Sequence, residues 1–251
     1  HLSIRRQRQM CIRDRSKTSR KVITSLGVIL VISGIVITTA SVWDSTIGNQ
    51  IEAAEQTRIS EEIFDREILI TDTDESESNM TVAEPQIMDG SNGLEYGQVF
   101  AKLYVPRFGA DYVRIIAEGT SSGVLNKAMG HYVSTSLPWE EGNFAVAAHR
   151  TTRGASLMDI DKLVSGDRLF VETVDAYYVY EHVNTVIVPP TESGVLTPNP
   201  PSFKGSEGDS LLTLTSCHPK YSDAKRIIAF NKLVGTYPKE FYTLEEVQKL
   251  K

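Results

Sequence analysis

Three residue types that could act together stand at the ends of apolar alternating runs. "LLTLTSC" ends in Cys217, "NFAVAAH" ends in His149, and "RIIAF" opens with Arg226. A thiol becomes a strong nucleophile near neutral pH when an imidazole or cation beside it favours the thiolate. His149 supplies an imidazole. Arg226 supplies a fixed cation whose planar donor fork suits an oxyanion or a peptide carbonyl. Thr215 and Ser216 carry hydroxyls beside the thiol that could support an oxyanion, and His218 adjoins it. Strand ends are rigid and the loops beyond them are open to substrate. The three residues are far apart in the chain, however, and such a triple is a weak signal until a fold brings the ends together.

The elements that must do so read mainly as short strands. "VFAKLYVPRF" is a strand stopped by Pro106, and "SGVLNKAMGHYVS" a short helix ended by Gly130. "GNFAVAAH", "RLFVET", the Tyr- and Val-rich "AYYVYEHVNTVIV", "DSLLTLTSC" and "RIIAFNKLVGTY" read as further strands. "SLMDIDKL" is a turn of helix. Residues 189–208 form a long loop with five prolines, a candidate wall for a peptide groove. The tail "TLEEVQKLK" opens with a capping box, Thr243 and Glu246. The expected class is mostly β: a closed antiparallel β-barrel with short helices, preceded by one transmembrane helix and a stalk. His131, His182, Trp139 and the tyrosines at 177–180 read as surface or packing residues.

Charge is distributed unevenly. The 251-residue chain has a formal net charge of −6. Residues 1–21 hold eight Lys/Arg against one Asp, whereas residues 44–95 hold fourteen Asp/Glu against two Arg. The remainder is nearly balanced and leaves no large basic face for nucleic acid. Residues 22–42 are uncharged, and at about 1.5 Å per residue they span roughly 31 Å, enough for a bilayer core. Lys17, Arg20 and Lys21 precede the run, so the N-terminus is expected in the cytoplasm and the rest outside. The run is long for a cleaved signal core, and no clear cleavage site follows it. Residues 1–16 resemble a translated sequencing adapter, and the orientation does not depend on them. "DSTIGNQIEAAEQTRISEEIFDREIL" has a helical period at Ile47, Ile51, Ala54, Ile59 and Ile63, followed by an acidic linker over 71–93. Cys11 and Cys217 would lie on opposite sides of the membrane, which leaves Cys217 an unpaired exported thiol. The expected organisation is a basic N-terminus (1–21), a membrane helix (22–42), a juxtamembrane helix and linker (43–95), a catalytic barrel (96–237) and a tail (238–251).

Two stretches, "TLTSCHPKYSDAKRIIAF" and "GNFAVAAHRTTRGASLMDIDKLVSGDRLFV", closely resemble the bacterial sortases. The sortase signature is Thr-Leu-x-Thr-Cys with an Arg downstream and a His ending an earlier strand. Here Ser216 stands where the pattern has Thr. The His-Arg-Thr-Thr run at 149–152 and the Cys-His-Pro-Lys run at 217–220 look like class E, with class D as neighbour. The resemblance covers about Tyr96 to Tyr237. It implies a membrane-anchored cysteine transpeptidase in which Cys217 attacks a Thr carbonyl in a Leu-Ala/Pro-x-Thr-Gly sorting signal. His149 would protonate the leaving amine and later deprotonate the incoming one, and Arg226 would hold the peptide and the oxyanion. Thr215, Ser216 and His218 would support that site, His218 not as the base. The implied partners are sorting-signal peptides of secreted proteins and an amine of a cell-wall precursor or another surface protein. A monomer without metal or cofactor is expected. A pilus-polymerising sortase and a catalytically silent, membrane-tethered peptide-binding barrel are the alternatives.

Overall fold

The computed structural model of the protein describes residues 21–37, 47–62 and 93–250. The chain divides into two compact units, His1–Ile47 and Gly48–Lys251. In the first, residues 21–37 form a helix, α1, which covers most of the apolar run. Residues 38–42 of that run, Lys17 and Arg20 before it and nearly all of the acidic linker lie outside the described residues. Among the described residues no helix is long and apolar enough to cross a membrane.

In the second unit, helix α2 (Asn49–Glu62) precedes eight strands. These are β1 (Val99–Tyr104), β2 (Val113–Glu118), β3 (Met129–His131), β4 (Asn143–Ala147), β5 (Arg168–Glu172), β6 (Ala176–Val188), β7 (Leu211–His218) and β8 (Lys225–Pro238). They close a barrel in the order β1-β2-β3-β4-β7-β8-β6-β5. Two short helices complete it, α3 (Ser122–Lys127) and α4 (Leu244–Lys249). The capping box of α4 is formed as the sequence suggests: Thr243 accepts from the Glu246 amide, and the Glu246 carboxylate accepts from the Thr243 amide.

The barrel is closed but not wholly antiparallel, which corrects the sequence expectation. β2 pairs with β3 in parallel, and so does β4 with β7. Both pairs are joined by crossovers, through α3 and through all of β5 and β6, and a crossover returns the chain in the same direction. β2 was missed, because Arg114 and Glu118 interrupt its apolar run; both are buried. The helix expected to reach Gly130 stops at Lys127, and residues 129–131 become β3.

Alternation sets which side chains enter the barrel. Leu212 and Leu214 of β7, Phe144 and Val146 of β4, and Ile227 and Ala229 of β8 all join the central core. Tyr178 and Tyr180 lie in the same core, while Tyr177 packs outside with Val247 of α4. A one-residue slip of β7 would turn Leu212 and Leu214 out of the barrel core and point Thr213, Thr215 and Cys217 into it instead, so the core fixes the register. The loop over 189–210 lays Val195 and Phe203 on the outer face of β8, against Ile228 and Phe230. It is tied to β4 by Asn143, whose amide donates to the carbonyls of Val195 and Thr197, each at 3.0 Å.

His131 and His182 are buried in polar networks. His131 Nδ1 lies 2.7 Å from Glu118 Oε2. His182 Nδ1 lies 2.9 Å from Asn231 Oδ1, and its Nε2 lies 3.1 Å from the Thr185 hydroxyl. Burial pushes the His182 pKa below its ordinary value, against the opposing pull of Asn231 and Asp167. A depressed histidine leaves the unfolded chain binding more protons, so its contribution to stability holds above pH ~6.5 and is lost as pH falls through the folded value. Thermal unfolding followed from pH 7.5 to 4.5 is expected to show this loss, at most ~1.4 kcal/mol per pH unit from this residue. His182→Gln, which keeps polar atoms but cannot titrate, should flatten that slope.

Candidate active site

The ends of β4, β7 and β8 meet at one edge of the barrel. Cys217 pairs directly with Arg226 across the antiparallel β7–β8 ladder. Ala147 is in register with Thr215 across the parallel β4–β7 ladder, and the Ala148 amide donates to the Thr215 carbonyl at 3.1 Å. Continuing that register sets His149 beside Cys217. Interior positions on these strands are 144, 146 and 148, then 212 and 214, then 227 and 229. The alternate positions therefore face outward, and they include His149, Thr215, Cys217 and Arg226. The three residues named for chemistry share one outward face on three adjacent strands.

Cys217 is a free, half-buried thiol. His149 is also half-buried, and its Nε2 is buried with no hydrogen-bond partner among the described residues. Burial pushes the imidazole pKa below its ordinary value of 6.5; the Arg153 charge pushes the same way and Glu52 opposes both. Near neutral pH the ring is therefore mainly uncharged. The Arg226 guanidinium rests on its own turn, donating to Asp223 O at 2.8 Å and Lys225 O at 3.0 Å.

The supporting residues divide by strand face. Thr215 faces outward, with its hydroxyl 3.0 Å from that of Tyr132. Ser216 faces the other way, is buried, and donates to Ala148 O at 2.7 Å. Its hydroxyl is thus a strap from β7 to the residue before His149. The Ser216 hydroxyl performs this task without the extra methyl of the Thr in the sortase signature. His218 Nδ1 accepts a hydrogen bond from Arg150 at 2.9 Å.

Arg150 is the residue of the candidate site that sequence reasoning missed. It follows His149, points to the opposite side, and is only 3% exposed. Its Nη1 donates to His218 Nδ1 and to Cys217 O, at 2.9 and 3.3 Å. Its Nη2 pairs with Asp161 Oδ1 at 2.9 Å. Burial works to raise the Asp161 carboxyl, but the Arg150 and Lys220 charges outweigh it and hold the carboxyl below its ordinary range. One guanidinium thus joins the residue after His149, the backbone of Cys217 and the short helical turn at 160–162. An Arg beside a candidate His, with an Asp eleven residues on in "DIDKL", was the available signal. Arg150→Ala should destabilise the barrel by about 2–4 kcal/mol, because it strips a buried charge network. Arg150→Lys should recover part of that loss, since a lysine lacks the fork that reaches two partners at once. Chemical unfolding of both variants measures the difference.

Comparison with known proteins agrees with this fold. The sortase domain family matches residues 103–234. Sortase SrtE1 of Streptomyces coelicolor is 39% identical over 156 residues, covering 58% of this chain and 43% of its own length. Sortase SrtE2 of the same organism is 32% identical over 157 residues, covering 59% of this chain and 61% of its own length. The chain thus spans less than two thirds of the length of these curated relatives. The crystal structure of sortase E1 from S. coelicolor with a tripeptide in the active site superposes with a TM-score of 0.56 and 33% identity, over 59% of this chain and 96% of that one. The chain belongs to the sortase family, with class E sortases among its relatives.

Proposed function

We propose that this protein cleaves a Leu-Ala-x-Thr-Gly or Leu-Pro-x-Thr-Gly sorting signal between Thr and Gly and transfers the Thr carbonyl to an amine. The carrying observation is the shared outward face of His149, Cys217 and Arg226 at the ends of β4, β7 and β8. In this reading the Cys217 proton passes to His149, and Sγ attacks the Thr carbonyl. The imidazolium gives its proton to the departing Gly nitrogen as the C–N bond breaks, leaving a thioester. An incoming amine then loses a proton to His149 and displaces the thiol, which regains a proton. Arg226 turns from its two turn carbonyls toward the oxyanion that forms above Cys217. The loop over 189–210 borders the outer face leading to the thiol, and the tripeptide carried by the S. coelicolor enzyme supports a peptide as substrate. The acceptor is an amine of a cell-wall precursor or of another surface protein. The uncharged run at 22–42, with its basic N-terminal flank, supports a single-pass anchor and an extracellular catalytic unit.

Two measurements test this. The purified full chain, incubated with quenched Leu-Ala-x-Thr-Gly and Leu-Pro-x-Thr-Gly peptides, is expected to cleave at least one. Cys217→Ala should abolish cleavage. Intact peptides and no thiol-trapped acyl adduct would overturn the proposal in favour of a silent peptide-binding barrel.

The second measurement is the pH profile. The reactive pair carries one proton in total, so kcat/KM falls on the acid side when His149 takes up a second one. Because His149 is depressed, that limb is expected below pH ~6.5. Arg153→Gln removes a charge that depresses His149 and should move the limb upward.

A further inference from the structure

Helix α2 lies outside the matched sortase region, yet it packs on the loop that leaves β4 beyond His149. The periodicity of its sequence suggests a stripe through Ile51 and Ala54, but both are exposed, Ile51 by 64%. The docked face is polar instead. Asn49 Nδ2 donates to Thr151 O at 2.9 Å. Glu52 Oε1 lies 3.7 Å from Arg153 Nη1. Gln56, only 3% exposed, accepts a hydrogen bond from the Ser156 hydroxyl at 3.1 Å. Helix positions 49, 52 and 56 thus meet loop positions 151, 153 and 156 in order, the spacing of one helical face.

The loop so held has an unusual backbone. Arg153, Gly154 and Ala155 take φ values of 50°, 74° and 47°. Three consecutive left-handed residues, two of them with side chains, persist only where surrounding structure holds them. At Gly154 a Cβ would come within 2.9 Å of Gln56 Nε2, so the glycine also permits the close approach of the helix. Tyr112 holds the far end, donating to Ser156 O at 2.5 Å. The Leu157 amide then donates back to His149 O at 3.1 Å. The conformation of residues 151–156 is therefore transmitted to the backbone of His149.

We propose that α2 is a clamp on the active-site loop, in which Gln56 fixes the left-handed turn that positions His149 and Glu52 tempers the charge of Arg153 beside it. This rests on the sortase reading of His149. The charges acting on the imidazole are Arg153 from its own loop and Glu52 from α2; the continued β4–β7 register sets Cys217 beside it, with Arg226 opposite Cys217 on β8. Glu52 is the contribution of α2 to that set, and it opposes the depression of His149. Gln56 and Glu52 are positioning residues, since neither lies at the reacting atoms.

The test uses the full chain carrying Gln56→Ala, Glu52→Gln, or both together with Asn49→Ala. Three quantities are read: the split of kcat and KM on the cleaved peptide, the NMR titration of the His149 ring, and hydrogen exchange at the Leu157 amide. Gln56→Ala should lower kcat on the order of tenfold, with KM within about twofold, because misplacing a proton-transfer group costs rate more than binding. Glu52→Gln should move the His149 midpoint further down. The triple variant should quicken exchange at Leu157. Wild-type kcat and an unmoved His149 titration in a triple variant with fast Leu157 exchange would overturn the clamp. Failure of the unaltered chain to cleave any peptide would instead overturn the sortase reading. The titration and exchange readouts do not depend on turnover, so they decide the clamp separately.

Discussion

The site depends on the two-residue period of β7 and its two neighbours. Leu212 and Leu214 must face the barrel interior, as must Phe144 and Val146 on β4 and Ile227 and Ala229 on β8. Each of these apart from the small Ala229 contributes about 1.5–3 kcal/mol by leaving water, so the registers are held firmly. Everything on the alternate positions then points outward together. Cys217, His149 and Arg226 reach one surface as a consequence of where the leucines, phenylalanine and isoleucine must go. The candidate site is positioned by the packing of residues that are not part of it.

Beyond the strand ends alternation no longer constrains the chain, and polar straps take over. Ser216 ties β7 to Ala148, and Arg150 ties the next turn of chain to Cys217 and His218. Asp161 and Lys220 complete the charge network around Arg150. On the other side, the left-handed turn at 153–155 is held between Gln56 and Tyr112. His149 thus sits between an apolar barrel end and two polar clasps. Its burial and its basic neighbour keep the imidazole mainly uncharged at neutral pH, which leaves it able to accept the thiol proton.

Local pattern carried much of this. The Tyr- and Val-rich run became β6 over its whole length, and the capping box at Thr243 starts α4. The runs ending at Cys217 and opening near Arg226 became β7 and β8. Pattern failed where charge sits inside structure. Arg114 and Glu118 hide β2, because a charge reads as exposed until a partner such as His131 is known. Gln56 was overlooked on α2 because the helical period draws attention to Ile51 and Ala54, which the fold leaves in water. The parallel pairs β2–β3 and β4–β7 were equally hidden, since strand direction belongs to the connections and not to the strand.

The sequence by itself determined the reactive residue types, the strand period that presents Cys217, and the sortase motifs around it. These are encoded by neighbours within a few positions, where side-chain alternation and capping act. Only the tertiary structure decided that β4 and β8 flank β7, that Arg150 runs beneath Cys217, and that α2 grips the loop after His149. Those contacts join residues tens of positions apart. Their energy comes from shared burial and from pairing of desolvated polar groups, and neither has a local period to read.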